Sequence, residues 1–171
     1  IVGGVDSLCL SVLYGFHSLQ LISANPCRPF DRDREGINLG EAAAFTLLVR
    51  EHDGDAPVSL LGYGESSDAY HMSSAHPEGL GAKLAMQSAI RKSGLSFDAI
   101  AYLNLHGSAT QNNDAIEGLA CAGLFSKRTV ASATKGWTGH TLGATGAAEA
   151  VICIDSLMTG VIPGTMNTLT P

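Results

Sequence analysis

Two short apolar strands, each followed by a polar loop and then a helix, constrain this chain more than any other feature of its sequence. Residues 100–105 read as a buried strand, residues 106–113 as a polar loop, and the stretch to about residue 124 as a helix. Residues 129–133 repeat the pattern, with a loop over 134–141 and a long helix to about residue 158. Strand–loop–helix units favour a sheet with helices packed against it, so the fold class is α/β. The last helix opens Leu142-Gly143-Ala144-Thr145-Gly146-Ala147-Ala148. Such small residues let a neighbouring element approach closely, at some cost in helix propensity.

Upstream, Ile1-Val2-Gly3-Gly4-Val5 reads as an apolar strand, and residues 7–23 carry Leu8, Val12, Phe16 and Leu19 at helical spacing. Residues 25–38 form a Pro- and charge-rich loop. Residues 42–49 and 58–63 read as strands either side of the turn signal Asp53-Gly54-Asp55, which predicts a hairpin. Residues 66–77 are a polar loop. Residues 79–93 are a helix with Leu84, Ala85, Ala89 and Ile90 on its inner face and Gly94 as its stop. No repeat or long linker interrupts the chain. It opens inside a strand without an initiator methionine and stops at Pro171, just after the extended Val161-Ile162-Pro163, so one piece of a larger chain is expected.

Composition narrows the function classes. With 171 residues, 45% hydrophobic and 15% charged, the chain suits one globular domain able to bury a real core. A net charge of −6 argues against nucleic acid as the main partner. No apolar run approaches the roughly 18 residues of a membrane span, and no stretch of these residues reads as a signal peptide with a basic start and apolar centre. A cytoplasmic protein with no membrane partner is the expectation. The four cysteines, Cys9, Cys27, Cys121 and Cys153, lack paired spacing and read as reduced thiols.

In open α/β sheets, ligands gather beyond the carboxyl ends of the strands. That location holds His106 after the first strand and Lys135 with His140 after the second. If the strands are neighbours, both imidazoles point into one pocket, each ahead of a helix start that favours anionic ligands. Two imidazole donors beside a cation suit a reaction that builds negative charge on a carbonyl oxygen. Asp114, Glu117 and Glu149 are carboxylates able to hold Lys135 and orient the histidines. Each residue also has a plainer reading: a satisfied polar histidine, a helix-start aspartate, a surface lysine, a solvated mid-helix glutamate.

Motifs decide between these readings. His106-Gly107-Ser108-Ala109-Thr110-Gln111-Asn112-Asn113-Asp114 resembles the His-Gly-Thr-x-Thr-x-x-x-Asp motif of β-ketoacyl-(acyl carrier protein) synthases, which are thiolase-fold condensing enzymes. The run from Lys135 through Gly139-His140 to Gly143-Ala144-Thr145-Gly146 is similar to their Lys-x-x-x-Gly-His-x-x-Gly-Ala-x-Gly motif. Phe30-Asp31-Arg32-Asp33-Arg34-Glu35-Gly36, running into Gly40-Glu41, resembles their Phe-Asp-x-x-Arg-x-Gly stretch. Ser66-Ser67-Asp68-Ala69-Tyr70-His71-Met72 resembles the loop that follows it. The four motifs occur in the family's order and span nearly the whole chain. Ser108 replaces the usual threonine and keeps its hydroxyl. Ala42 replaces a usual glycine, which touches packing rather than chemistry.

The resemblance implies a thiolase-like fold, helices on a mixed β-sheet, with residues 1–171 as the carboxyl-terminal half. It implies decarboxylative Claisen condensation of an acyl thioester with malonyl-acyl carrier protein, in fatty acid or polyketide and polyene synthesis. On that alignment His106 and His140 are the two histidines of a Cys-His-His site. Lys135 is the family lysine, held by carboxylates at Asp114 and Glu117, and Glu149 is the glutamate beyond the second histidine. Ser108 and Thr110 fall at hydroxyl positions along the phosphopantetheine arm. The resemblance implies no metal and no cofactor, since phosphopantetheine arrives on the acyl carrier protein, and it implies a homodimer. The family's nucleophilic cysteine, at the tight start of a buried helix, would lie before Ile1, and its gating loop beyond Pro171. None of the four cysteines here has that setting on sequence. Cys121 and Cys153 read as small residues inside helices.

Other readings carry less. Ile1-Val2-Gly3-Gly4 is similar to the start of an activated trypsin-like protease, but no Gly-Asp-Ser-Gly-Gly loop occurs. A metal site from His71, His76, His106 and His140 has no His-x-x-x-His helix or close carboxylate cluster behind it. The alternative that stays open is a non-condensing partner subunit of a ketosynthase heterodimer. Such subunits lack the cysteine and often the histidines; retention of both histidines and Lys135 favours the synthase.

Overall fold

The computed structural model describes residues 1–50, 56–71 and 74–171. In chain order its elements are β1 (Val2–Asp6), α1 (Leu10–Ser18), β2 (Ala42–Thr46), α2 (Leu80–Ser93), β3 (Tyr102–Leu105), α3 (Gln111–Ala122), β4 (Val130–Ala133), the single turn α4 (Lys135–Thr138) and α5 (Thr145–Thr159). Short 3₁₀ turns at Phe97–Ala99 and Leu142–Ala144 precede β3 and α5.

β3 and β4 pair in parallel, Tyr102 opposite Val130 and Leu105 opposite Ala133. A parallel pair needs a crossover, which α3 supplies. The register ends both strands together, so the chain leaves the sheet at His106 and Thr134 side by side. β1 and β2 form a second, antiparallel pair, Val2 opposite Thr46 and Asp6 opposite Ala42. α5 packs on this pair and α2 packs on α3. The small residues at the start of α5 have a direct use. A Cβ on Gly4 would lie 2.3 Å from the Gly143 carbonyl oxygen, so β1 meets the 142–144 turn only because residue 4 carries no side chain.

Several sequence expectations change. β2 pairs with β1, not with residues 58–63, which form no ladder among the described residues. Alternation identifies an extended segment but not its neighbour. Gly62 and Gly64 instead lie against the backbone of α2, near Ala89 and Ala85. Asp53-Gly54-Asp55 and Met72 lie outside the described residues. α2 ends at Gly94 with φ 71° as expected, but Leu84 is exposed rather than on its inner face. The 3₁₀ turn and α5 join into one stretch, Leu142–Thr159, long and apolar enough by length and composition to cross a membrane. The linear count of apolar residues missed it. Here the stretch layers on β1 and β2 and carries Glu149 in an ion pair with Lys135.

Among the described residues the expected large apolar core is not found. Apart from Ile37, the buried apolar residues are small, namely Cys27, Ala109, Ala120, Ala133 and Ala144, whereas Ile1, Leu47 and Leu157 are exposed. The largest fully buried side chains are Lys135, Thr141, Asp114 and Pro29. The interior of this chain is built around polar groups at the ends of β3 and β4, which places demands on hydrogen bonding rather than on volume.

Asp31 shows how those demands are met. Its carboxylate accepts backbone N–H bonds from Asp33 (2.9 Å), Leu169 (2.7 Å) and Thr170 (2.9 Å). These donors, that of Thr170 foremost, hold its pKa at about 2. A depressed carboxyl pKa stabilises the fold above the unfolded value and loses that contribution as pH falls through the folded one. Asp31→Asn is therefore expected to lower the melting temperature at pH 7, with the gap to wild type closing between about pH 4 and pH 2. Thermal melts across that range check it. A gap independent of pH would mean that the charge is not what the three donors hold.

Candidate active site

β3 delivers the chain to His106, and the following loop turns through left-handed backbone at Gly107 (φ 45°) and Ala109 (φ 63°). Gly107 has no alternative, because a Cβ there would lie 2.3 Å from that of Ala133. Ala109 carries a strained φ of the kind that persists only where surroundings over-determine it. Here they do. The Ala109 N–H donates to both oxygens of Asp114, each at 3.1 Å. Its carbonyl accepts the Gly36 N–H at 2.9 Å. Glu117, one turn further along α3, accepts the N–H groups of His106 (2.6 Å) and Gly107 (2.8 Å). Burial pushes the Glu117 carboxyl up, and these two N–H donors pull it part of the way back.

His140 follows α4 and Gly139, whose φ of 69° lets the backbone pass close to Asn38 and Gly40. The His140 N–H donates to the Asn38 carbonyl at 2.7 Å, and the Gly40 N–H donates to the His140 carbonyl at 3.1 Å.

The two rings, from two strand–loop–helix units, meet edge to face with centroids 5.2 Å apart. Both line one cleft of about 550 Å³, as the neighbouring-strand argument predicts. Their tautomers follow from their partners. Lys135 Nζ, a donor only, lies 3.4 Å from His106 Nδ1. The Leu142 N–H donates to His140 Nδ1 at 3.2 Å. Each Nδ1 is therefore an acceptor, and each neutral ring carries its proton on Nε2. Desolvation first, then the charge of Lys135, lowers both pKa values to about 4. His106 feels this although it keeps surface open to the cleft, because its other sides lie against protein. At neutral pH the site thus holds two uncharged imidazoles, each with an Nε2–H to donate.

Lys135 is almost fully buried. It donates to the His106 carbonyl and pairs with Glu149 Oε1 at 2.6 Å. This corrects the expectation that Asp114 and Glu117 hold it. Both of those carboxylates are occupied by backbone donors, Asp114 also accepting the Phe30 N–H at 2.8 Å. Among the described residues, Glu149 on α5 is the carboxylate within ion-pair distance of the lysine. Burial raises the Glu149 pKa, and the contact with Lys135 pulls it part of the way back.

Ser108 and Thr110 line the same cleft, with their hydroxyl oxygens 3.0 Å apart. No cysteine lines it. Cys121 and Cys153 fall in α3 and α5 as expected. Cys9 stands at the start of α1, a helix with no buried residue, with its thiol pKa lowered, chiefly by Ser11. It is exposed, and it lines a separate apolar hollow with Leu8, Leu13 and Leu39. His76, one of the four histidines weighed for a metal, packs edge-on against Tyr70 rather than beside the pair.

Residues 58–169 match the family described as beta-ketoacyl synthase, C-terminal domain, and residues 1–54 match its N-terminal domain. The chain belongs to the β-ketoacyl synthase family. It is 40% identical over 154 residues to the mitochondrial 3-oxoacyl-[acyl-carrier-protein] synthase of Arabidopsis thaliana, covering 84% of this chain and 33% of that protein. It is 34% identical to 3-oxoacyl-[acyl-carrier-protein] synthase 2 of Staphylococcus aureus, covering all of this chain and 46% of that one. The chain thus spans less than half the length of these relatives. Among solved structures, a chain of the ApeO ketosynthase–ApeC chain length factor complex from Xenorhabdus doucetiae superposes with a TM-score of 0.91 at 46% identity. That match covers 97% of this chain and 41% of that one. A beta-ketoacyl synthase from Burkholderia phymatum gives 0.87 at 31%, covering 99% of this chain and 44% of that one. The fold is therefore the thiolase-like α/β fold of ketosynthases.

Three contributors to the site were not singled out from sequence: Asn38, whose carbonyl holds His140, the Leu142 N–H that fixes its tautomer, and Arg34. All three lie inside stretches that carry the resemblance, residues 30–41 and 135–146, but only the contacts disclose what they do.

Proposed function

We propose that the full-length protein carrying this chain catalyses decarboxylative Claisen condensation of an acyl thioester with malonyl-acyl carrier protein. The observation that carries the reading is the pair of neutral imidazoles, each with Nδ1 occupied as an acceptor and Nε2–H free to donate into one cleft. On loss of CO₂ the carbon–carbon bonding pair moves onto the malonyl thioester carbonyl, and the two Nε2–H groups stabilise the enolate oxygen. The enolate carbon then attacks the acyl-cysteine carbonyl and the thiolate leaves. That cysteine is one which the resemblance places before Ile1. Lys135 holds the His106 carbonyl and Nδ1, and Glu149 balances its charge. Ser108 and Thr110 are assigned to the phosphopantetheine arm, which arrives on the carrier protein; no metal or other cofactor is required by this scheme. An acyl carrier protein as partner, a cytoplasmic site and a homodimer complete the proposal.

The alternative, a non-condensing partner subunit, gives the donor pair no task. The test is the full-length protein with acyl- and malonyl-acyl carrier protein, read as CO₂ release and 3-oxoacyl product. Neither product from folded protein would favour the partner subunit.

The low histidine pKa values predict the pH profile. The neutral rings are the active form, so activity falls as pH drops through about 4 rather than through the ordinary 6.5. Malonyl decarboxylation is expected to stay flat from pH 8 to about 5.5. An acid limb centred near 6.5 would show that the rings are hydrated.

A further inference from the structure

The two histidines sit on loops from different strands, so something must fix one ring relative to the other. We propose that the single segment 28–40 does so: Arg34 positions the His106 loop and Asn38 positions the backbone of His140. This rests on the proposed condensation chemistry only for its catalytic consequence.

The contacts divide by end of the segment. The Arg34 guanidinium, largely buried, donates through Nε to the Thr110 carbonyl (3.2 Å) and through Nη2 to the Gln111 carbonyl (2.7 Å). Its Nη1 donates to the Asp31 carbonyl at 2.9 Å, which ties the fork to its own segment. Gln111 Nε2 answers by donating to the Arg34 carbonyl at 2.7 Å. Arg34 Nε also lies 3.8 Å from Asp114, the carboxylate that holds Ala109 in its left-handed turn. With Gly36 on the Ala109 carbonyl, this end grips the His106 loop at consecutive peptides.

Four residues beyond Arg34, Asn38 grips the other loop. Its carbonyl takes the His140 N–H, and a parallel bridge pairs Leu39 with His140. The Asn38 side chain holds that peptide in place. Oδ1 accepts the Cys27 N–H at 2.6 Å, and Nδ2 donates to the carbonyls of Ser23 and Asn25, both at 3.1 Å. A short tether with a fork at one end and an amide clamp at the other sets the separation of the two rings. Neither residue touches the place where substrate reacts, so both are positioning residues. Misplacement of a reacting group by about 1 Å costs on the order of 10²-fold in rate.

The test uses the full-length protein labelled with ¹⁵N-histidine, as Arg34→Lys and Asn38→Ala. Lysine keeps the charge but not the fork. Arg34→Lys is expected to shift the ring ¹⁵N signals of His106 and leave those of His140; Asn38→Ala is expected to do the reverse. Malonyl decarboxylation kcat is expected to fall about 10- to 100-fold, with KM and cysteine acylation changed less than about twofold. Where either variant does not fold, Arg34→Gln and Asn38→Asp, which keep part of each contact set, replace it. Ring signals unmoved in both variants overturn the inference, whatever the activity. Moved signals with unchanged decarboxylation overturn it too. A wild-type protein without decarboxylation would instead sink the functional reading, while the ring signals still decide the positioning.

Discussion

Replacing His106 or His140 with alanine is expected to slow malonyl decarboxylation by on the order of 10²–10³-fold, because each ring supplies one donor to charge that exists mainly in the transition state. Acylation of the cysteine from acyl-carrier protein is expected to survive largely intact. The rings are neutral and their Nδ1 atoms are engaged by Lys135 and by the Leu142 N–H, so what each substitution removes is an Nε2–H donor. Glutamine keeps an N–H near the same place and is expected to recover part of the loss. Removing both rings is expected to cost less than the product of the single losses, since two donors to one oxygen act as a unit. The measurement is a pair of half-reaction assays, labelled acyl transfer and labelled CO₂ release. Equal loss in both assays, with folded protein, would mean that the rings are structural.

What sequence reasoning could reach here, and what it could not, follows from the range of the interactions. The two strand–loop–helix units of β3 and β4 were legible because each is local; that the strands are neighbours was only a condition in the sequence, which the structure meets with a parallel pair. With the pairing came the shared cleft of His106 and His140. The partner of β2 was not legible, since the period of two gives a strand's faces and not its neighbour. The partner of Lys135 was missed for a related reason. Asp114 and Glu117 are near His106 in sequence, yet both are claimed by backbone N–H groups, those of the turning loop at 106–109 and, for Asp114, that of Phe30. Glu149 reaches the lysine from a helix layered on the other strand pair. The interior was misjudged because composition counts apolar residues without saying which are covered: Leu47 and Leu157 stand exposed while Lys135 and Asp114 are enclosed.

That enclosure leads to the largest expected change in stability. Glu149→Ala leaves the Lys135 ammonium, with a side chain 1% exposed, without its counter-charge. Removal of one member of a buried ion pair costs about 3–5 kcal/mol. Lys135→Met is expected to cost less, because the stranded group is then a carboxyl, 19% exposed, that burial already pushes towards its protonated form. Without the lysine that pKa rises further. A raised carboxyl pKa in the fold contributes stability at low pH that is lost as pH climbs through it, so Lys135→Met is expected to approach wild-type stability as pH falls from 8 to 5. Glu149→Ala has no such route. The double variant Lys135→Met, Glu149→Leu leaves neither charge and is expected to be more stable than Glu149→Ala alone. It is nonetheless expected to damage both half-reactions, as is Lys135→Ala, because the buried charged network that anchors the His106 carbonyl and ties α5 to the site is lost as a whole. Denaturant unfolding of the full-length variants at pH 5 and pH 8, beside the half-reaction assays, checks each step. A Glu149→Ala cost below about 1 kcal/mol, the size of a surface pair, would show that water reaches Lys135 and that the charge at the centre of this site is not enclosed.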